Sequence, residues 1–165
     1  MISQAQMQEG RRKRMAVLSM EVDATSSVLK AGFFLLNNYR FSALDAEPLF
    51  ALFSAGSEKL LKLTIGLNRH DADGAWPSRK QMRKYGHDIF EMNGVVLAVI
   101  ESQYQRSNVE DFVHGLLDEV RNDEILSILL NTFSRYATQG RFYNLDHLTE
   151  SAQPEPSPAE LWEDM

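Results

Sequence analysis

Apolar residues along most of this chain recur every three or four positions, the period that marks one face of an α-helix. Met15, Leu18, Val22, Leu29, Phe33 and Leu36 form the first such stripe and predict a helix from about Met15 to Asn38, closed by Asn37-Asn38-Tyr39. Asp45 is a favoured N-cap type and Pro48 is tolerated in a first turn, so a second helix starts near Leu44. It continues to about Asn68 on Leu49, Leu52, Phe53, Leu60, Leu63 and Leu67, with Gly56 and Gly66 as points where another helix can approach closely. His70–Pro77 is rich in Asp, Gly and Pro and reads as a turn. Ser78 then caps a short basic helix that Gly86 ends, and Ile89, Met92, Val96, Val99 and Ile100 mark a third long helix from His87-Asp88 to about Gln105. Asn108 and Asn122-Asp123-Glu124 give two further start signals, each with acids in the first turn. The last helix carries Ile125, Leu126, Leu129, Phe133 and Tyr136 and is expected to stop at Gly140.

No segment alternates apolar and polar residues with enough Val, Ile and Thr to suggest a sheet. The fold class predicted is all-α, an up-and-down bundle of four or five helices with a flexible acidic C-terminal tail. Three parts follow: a basic segment 1–14, a helical body 15–150 and an acidic, Pro-rich tail 151–165. Within the tail, Leu161 and Trp162 are large and apolar. They are read either as a docking motif for a partner protein or as a terminus folded back on its own bundle.

The length of 165 residues suits one domain with a substantial core. No apolar run approaches the roughly 18 to 20 residues that span a bilayer, and the start of the chain has no signal-peptide core, so a cytoplasmic protein without a membrane anchor is expected. The absence of cysteine excludes disulfides, thiolate catalysis and Cys-ligated zinc. No cofactor is implied. The net charge of −6 is concentrated at one end, because the tail from Glu150 onward holds five acids and no Lys or Arg, leaving a nearly neutral body. Inside that body Arg69, Arg79, Lys80, Arg83 and Lys84 gather with His70 and His87 around one connection, either as a solvated loop or as a patch facing an anion. A metal site assembled from His70, Asp71, Asp73, His87 and Asp88 is disfavoured, because Asp is expected at a turn and a helix start for capping alone and no helix carries the E-x-x-H spacing of bundle metal sites.

Candidate chemistry concentrates in Ser134–Leu148, where Arg141 and His147 follow the end of the last helix. Arg holds a phosphate as a planar fork of donors, and His exchanges a proton near neutral pH. Three local patterns lie in order around them: Glu58-Lys59 followed by Lys62 on the second helix, His87-Asp88-Ile89 at a helix start, and Ser134-Arg135-Tyr136 at the end of the last helix. With these patterns the chain, from about Leu44 to His147, resembles the HEPN domains (higher eukaryote and prokaryote nucleotide-binding), which are small helical bundles. Phe142 follows Arg141, where catalytic members usually carry a polar residue, and many members of the family are binding domains.

The resemblance implies metal-independent RNA cleavage or RNA binding, with Arg141 and His147 as the catalytic pair. Arg135, Tyr136, Tyr143, Asn144, Lys59, Lys62 and His87 would be the RNA or phosphate contacts, with Tyr136 or Tyr143 stacking on a base. It also implies a homodimer and a place in a defence or toxin–antitoxin system. The competing expectation is a non-catalytic helical interaction or regulatory protein that binds a partner chain. Arg141 and His147 converging on one open cleft would favour the first; their standing apart would suit the second.

Overall fold

The computed structural model describes residues 4–40, 42–104 and 110–163. Among these the chain is all-α, with eight α-helices, one 3-10 turn and no strand. Helix α1 (Gln4–Asn37) begins before the predicted start and runs straight through Arg11–Arg14. Arg, Lys and Gln are good helix formers and no Pro interrupts them, so the basic segment has no reason to stand apart. Helix α2 (Ser42–Asp73) is also longer than its apolar stripe. It ends where Gly74 takes the left-handed region at φ 68° and donates to the His70 carbonyl at 2.9 Å.

Ser78 and Gln81 cap one another's backbone at the start of α3 (Arg79–Arg83). Helix α4 (Ile89–Tyr104) and α5 (Glu110–Asn122) follow, and α6 (Glu124–Thr138) is N-capped by Asp123, which accepts from the Leu126 amide at 2.9 Å. Gln105 and Asn108, expected as a helix end and a helix start, lie outside the described residues. Beyond α6 come a 3-10 turn (Gly140–Phe142), α7 (Tyr143–Leu148) and α8 (Pro158–Glu163). The helix number thus exceeds the four or five expected for the bundle: α3 is the short basic helix expected after Ser78, while α7 and α8 are too short for apolar periodicity to reveal.

The core forms around α2. Its Leu49, Phe50, Phe53 and Ile65 pack with Ile89, Met92 and Val96 of α4 and with Phe133 and Ala137 of α6. Burying each such side chain contributes about 1.5–3 kcal/mol. Two hydroxyls join these layers: Ser54 donates to the Phe133 carbonyl at 2.9 Å, while Ser134 accepts from the Ile89 amide at 3.1 Å and donates to Asp88 at 2.9 Å.

The tail, expected to be flexible, is packed. A Ser157/Glu160 capping box starts α8, with Pro158 as its first residue, and Trp162 lies 5.7 Å from the Phe50 ring and 5.9 Å from Tyr39. Three prolines prevent helix earlier in the tail, but the burial of Pro158 and the aromatic contacts of Trp162 hold its end to the body.

Helix α1 is different. It runs antiparallel to α2, with Glu21 paired to Lys59 at 2.6 Å and the Phe53 ring against Gly32. The close contact is made where Thr25 and Gly32 on α1 and Gly56 on α2 let the helices approach, with Leu29 set against Gly56. Phe33, expected to be buried, is therefore 57% exposed, and Met15, Val22 and Leu36 are exposed as well. Among the described residues no helix is long and apolar enough to cross a membrane.

Removing the Ser134 hydroxyl leaves the buried Ile89 amide without its acceptor, whereas removing that of Ser54 leaves the Phe133 carbonyl its helical partner. Ser134→Ala is therefore expected to cost about 1–3 kcal/mol and Ser54→Ala about 1 kcal/mol or less, measured by urea unfolding.

Candidate functional site

The C-terminal end of α6 is the first candidate region. Arg135 is not free there: its Nε donates to the Pro156 carbonyl at 3.1 Å, its terminal nitrogen donates to Gln153 Oε1, and Glu155 Oε2 lies 3.8 Å away. Gln153 in turn donates to the Gln139 carbonyl at 3.2 Å and to Asp146. Residues 153–156 thus cross over the guanidinium and leave its side chain 12% exposed. Tyr136 packs 6.0 Å from Phe50, and burial raises its phenol pKa, with Glu47 adding to the rise and Arg141 opposing it.

Arg141 is exposed, with its guanidinium 5.0 Å over the Phe142 ring. His147 is exposed on α7, its ring 5.1 Å from Tyr143. Arg141 acts electrostatically on Tyr136, but His147 acts on Glu160, whose carboxylate lies below its ordinary value through hydrogen bonds from Ser157 and the weaker pull of His147. Arg141 rests on the Phe142 ring and His147 on the Tyr143 ring, with no contact between the two. Asn144 is exposed beside them. The nearest depression, about 570 Å³, is lined by Tyr143, Gln153, Glu155, Glu160, Glu163 and two prolines. Three carboxylates on such a wall repel a phosphate chain rather than attract it.

The second region joins α2 to the start of α4. Glu58 accepts from Lys62 at 2.6 Å and, with the Nδ1 proton in place, from His87 at 2.9 Å, while Lys62 also donates to the Gly86 carbonyl at 2.6 Å. Burial alone would raise the Glu58 pKa, but the bonds from Lys62 and His87 outweigh it and leave the carboxyl below its ordinary value of 4.5. Lys62 is thereby satisfied inside the fold, and Lys59 is paired with Glu21 on α1. Arg79, Lys80, Arg83 and Lys84 remain exposed on and after α3. Among the described residues no group of three or more His, Asp or Glu is placed to hold a metal ion.

The third region is a groove of about 410 Å³ between α1 and α2, which residue chemistry alone did not single out. Val22, Leu29 and Phe33 line one side, and Leu60, Leu63 and Leu67 the other. Thr25 and Ser26 lie between, and Lys30 stands at the α1 edge. The available sequence signal was the break in the α1 stripe at Thr25-Ser26, together with apolar residues such as Val17, Met20 and Phe34 on its other sides. A helix sealed into a core on one face would not carry these.

No protein family, no curated protein and no solved structure matches the chain.

Two outcomes follow from the polar contacts. Arg135→Ala is expected to release residues 153–163, seen as faster proteolysis within 150–157 and a red shift of Trp162 fluorescence against a Trp76→Phe background. The Glu58 carboxylate, depressed in the fold, stabilises it above about pH 4.5, and that contribution is lost as the pH falls through the lower folded value. Urea midpoints should therefore fall more steeply below about pH 4.5 in the wild type than in Glu58→Gln.

Proposed function

We propose that this protein is a non-catalytic helical interaction module, and that the α1–α2 face docks a helix of another chain. The observation that carries this reading is the apolar groove beside exposed Val22, Phe33, Leu60 and Leu67. Contiguous apolar surface of this kind has a free-energy cost in water that a bound helix removes. The tail is the poorer docking element, since Trp162 already packs on Phe50 and Tyr39. In the up-and-down arrangement expected of the long helices, α1 is the outermost member and the one with a face to offer.

A second reading rests on the exposure of Arg141 and His147 at the α6–α7 corner, the pair that the HEPN resemblance assigns to RNA cleavage in a defence or toxin–antitoxin setting. On that reading Arg141 holds the phosphate while His147 takes the proton of the attacking 2′-hydroxyl, and two copies pair in the cytoplasm to complete the cleft.

The readings separate in one assay on purified protein, Arg141→Ala and His147→Ala with single-stranded RNA in EDTA. The interaction reading expects intact RNA in all three. Cleavage by the wild type that both substitutions abolish would replace it with the nuclease reading. The docking surface itself is tested by anisotropy with a charge-neutral amphipathic peptide of about 20 residues: binding to the wild type and at least about tenfold weaker binding to Leu67→Glu are expected. Equal affinity, or no binding to either, would remove the groove as the docking site.

A further inference from the structure

Beyond the apolar groove, the same stripe of α1 leads back to a cationic run. Arg11, Met15, Leu18, Val22, Leu29 and Phe33 follow one another at steps of three, four and seven residues, so they fall on one stripe of α1. Arg11, Arg12, Lys13 and Arg14 are all exposed, and among the described residues none forms an ion pair; Arg14 donates only to the Gly10 carbonyl. Lys30, at the edge of the groove itself, likewise has no ion pair.

The antiparallel pairing explains why these cations stay open. Arg11 lies as far before Glu21 on α1 as Arg69 lies after Lys59 on α2, so the Glu21–Lys59 bridge sets the basic run level with the last turns of α2. There Asp73 is already taken by Arg69 at 2.7 Å. Glu9 and Asp71 are the remaining nearby carboxylates, against four cations. The groove is therefore apolar along its floor, with Lys30 on one edge and the basic run about two to three turns beyond Val22 on the same helix.

We propose that the groove receives an amphipathic helix of another protein whose apolar stripe enters between α1 and α2 and whose carboxylates lie over Lys30 and Arg11–Arg14. This rests on the docking reading above and adds the chemistry and direction of the partner. From Arg11 to Phe33, α1 rises about 33 Å, which calls for a partner helix of about 20 residues. Its acidic end lies beside the N-terminal half of α1. Charge matching at an exposed edge sets orientation and partner choice, while the apolar contact supplies most of the affinity. A second copy of this chain fits less well: antiparallel self-packing of the Arg11–Phe33 stripe would bring each basic run against Lys30–Phe33 of the other copy, where there is a like charge and no carboxylate.

The test compares two synthetic helical peptides with the same apolar stripe, one carrying Glu at one end and along one edge, the other Gln at those positions. Anisotropy is read with the wild-type chain and with the combined variant Arg11→Glu, Arg12→Glu, Lys13→Glu, Arg14→Glu, while light scattering follows the oligomeric state. The acidic peptide is expected to bind the wild type about tenfold more tightly at low salt, to lose that advantage at about 0.5 M salt, and to lose it in the charge-reversed variant. The Gln peptide should bind both proteins alike. Equal affinity of the two peptides for the wild type overturns the acidic assignment and leaves the docking reading standing; failure of both to bind removes the docking reading as well. A dimer that must dissociate before either peptide enters would make a second copy the occupant and overturn the proposal.

Discussion

The ring of Phe53 sits where three helices meet, and the shape of the molecule depends on how that crossing is packed. It stacks on Phe133 of α6 at 5.3 Å and meets Phe33 of α1 edge-on at 5.0 Å, with Gly32 admitting it against the α1 backbone. Leu49, Ile89 and Met92 are sealed close by, so the α2–α4–α6 side is filled to the density of a protein interior. The α1 side is not. Because α1 approaches α2 through Gly32, Thr25 and Gly56, and Leu29 is set against Gly56, the side chains of Val22, Phe33 and Leu36 stand at the edge and the groove stays open. The exposed apolar face is a consequence of how α1 is fastened.

The same accounting disposes of most cations that a phosphate would need. Arg135 is committed to residues 153–156, Lys62 to Glu58 and Gly86, and Lys59 to Glu21, which ties the α6 end, the α2–α4 corner and the α1–α2 pair to their own chain. Buried or half-buried positive groups are stable only when satisfied this way. Of the cations left over, Lys30 borders the groove, Arg11–Arg14 lie about two to three turns before it on α1, those on and after α3 lie along a short exposed helix, and Arg141 stands over Phe142. On α1 exposed charge and exposed apolar surface share one long helix.

Long, strongly periodic helices were legible in the sequence, as were several of their ends: Asp123 and Ser78 cap where their chemistry predicts. Helix lengths were less so, since α1 and α2 extend through residues with good propensity but no apolar period. The packing of the tail was legible only as one of two alternatives, the terminus folded back through Leu161 and Trp162, because its prolines dominate the reading of that stretch and hide the Ser157/Glu160 capping box. The α1 stripe was seen but given the wrong surroundings: periodicity identifies a face without saying what covers it. For the site, sequence could place Arg141 and His147 near each other along the chain, but not reveal that one turns to Phe142 and the other to Tyr143. The internal partners of Arg135 and Lys62 come from segments 18 and 24 residues away, pairings no local pattern encodes.

The central claim is that the working surface of this chain is the α1–α2 face and not the α6–α7 corner. A methyl-resolved NMR titration of the full chain with the acidic amphipathic peptide tests it residue by residue. Shifts at Leu18, Val22, Leu29, Leu60, Leu63 and Leu67, with Leu145 and Leu148 unmoved, are the predicted result. Shifts centred on Leu145 and Leu148, with the groove methyls silent, would contradict it.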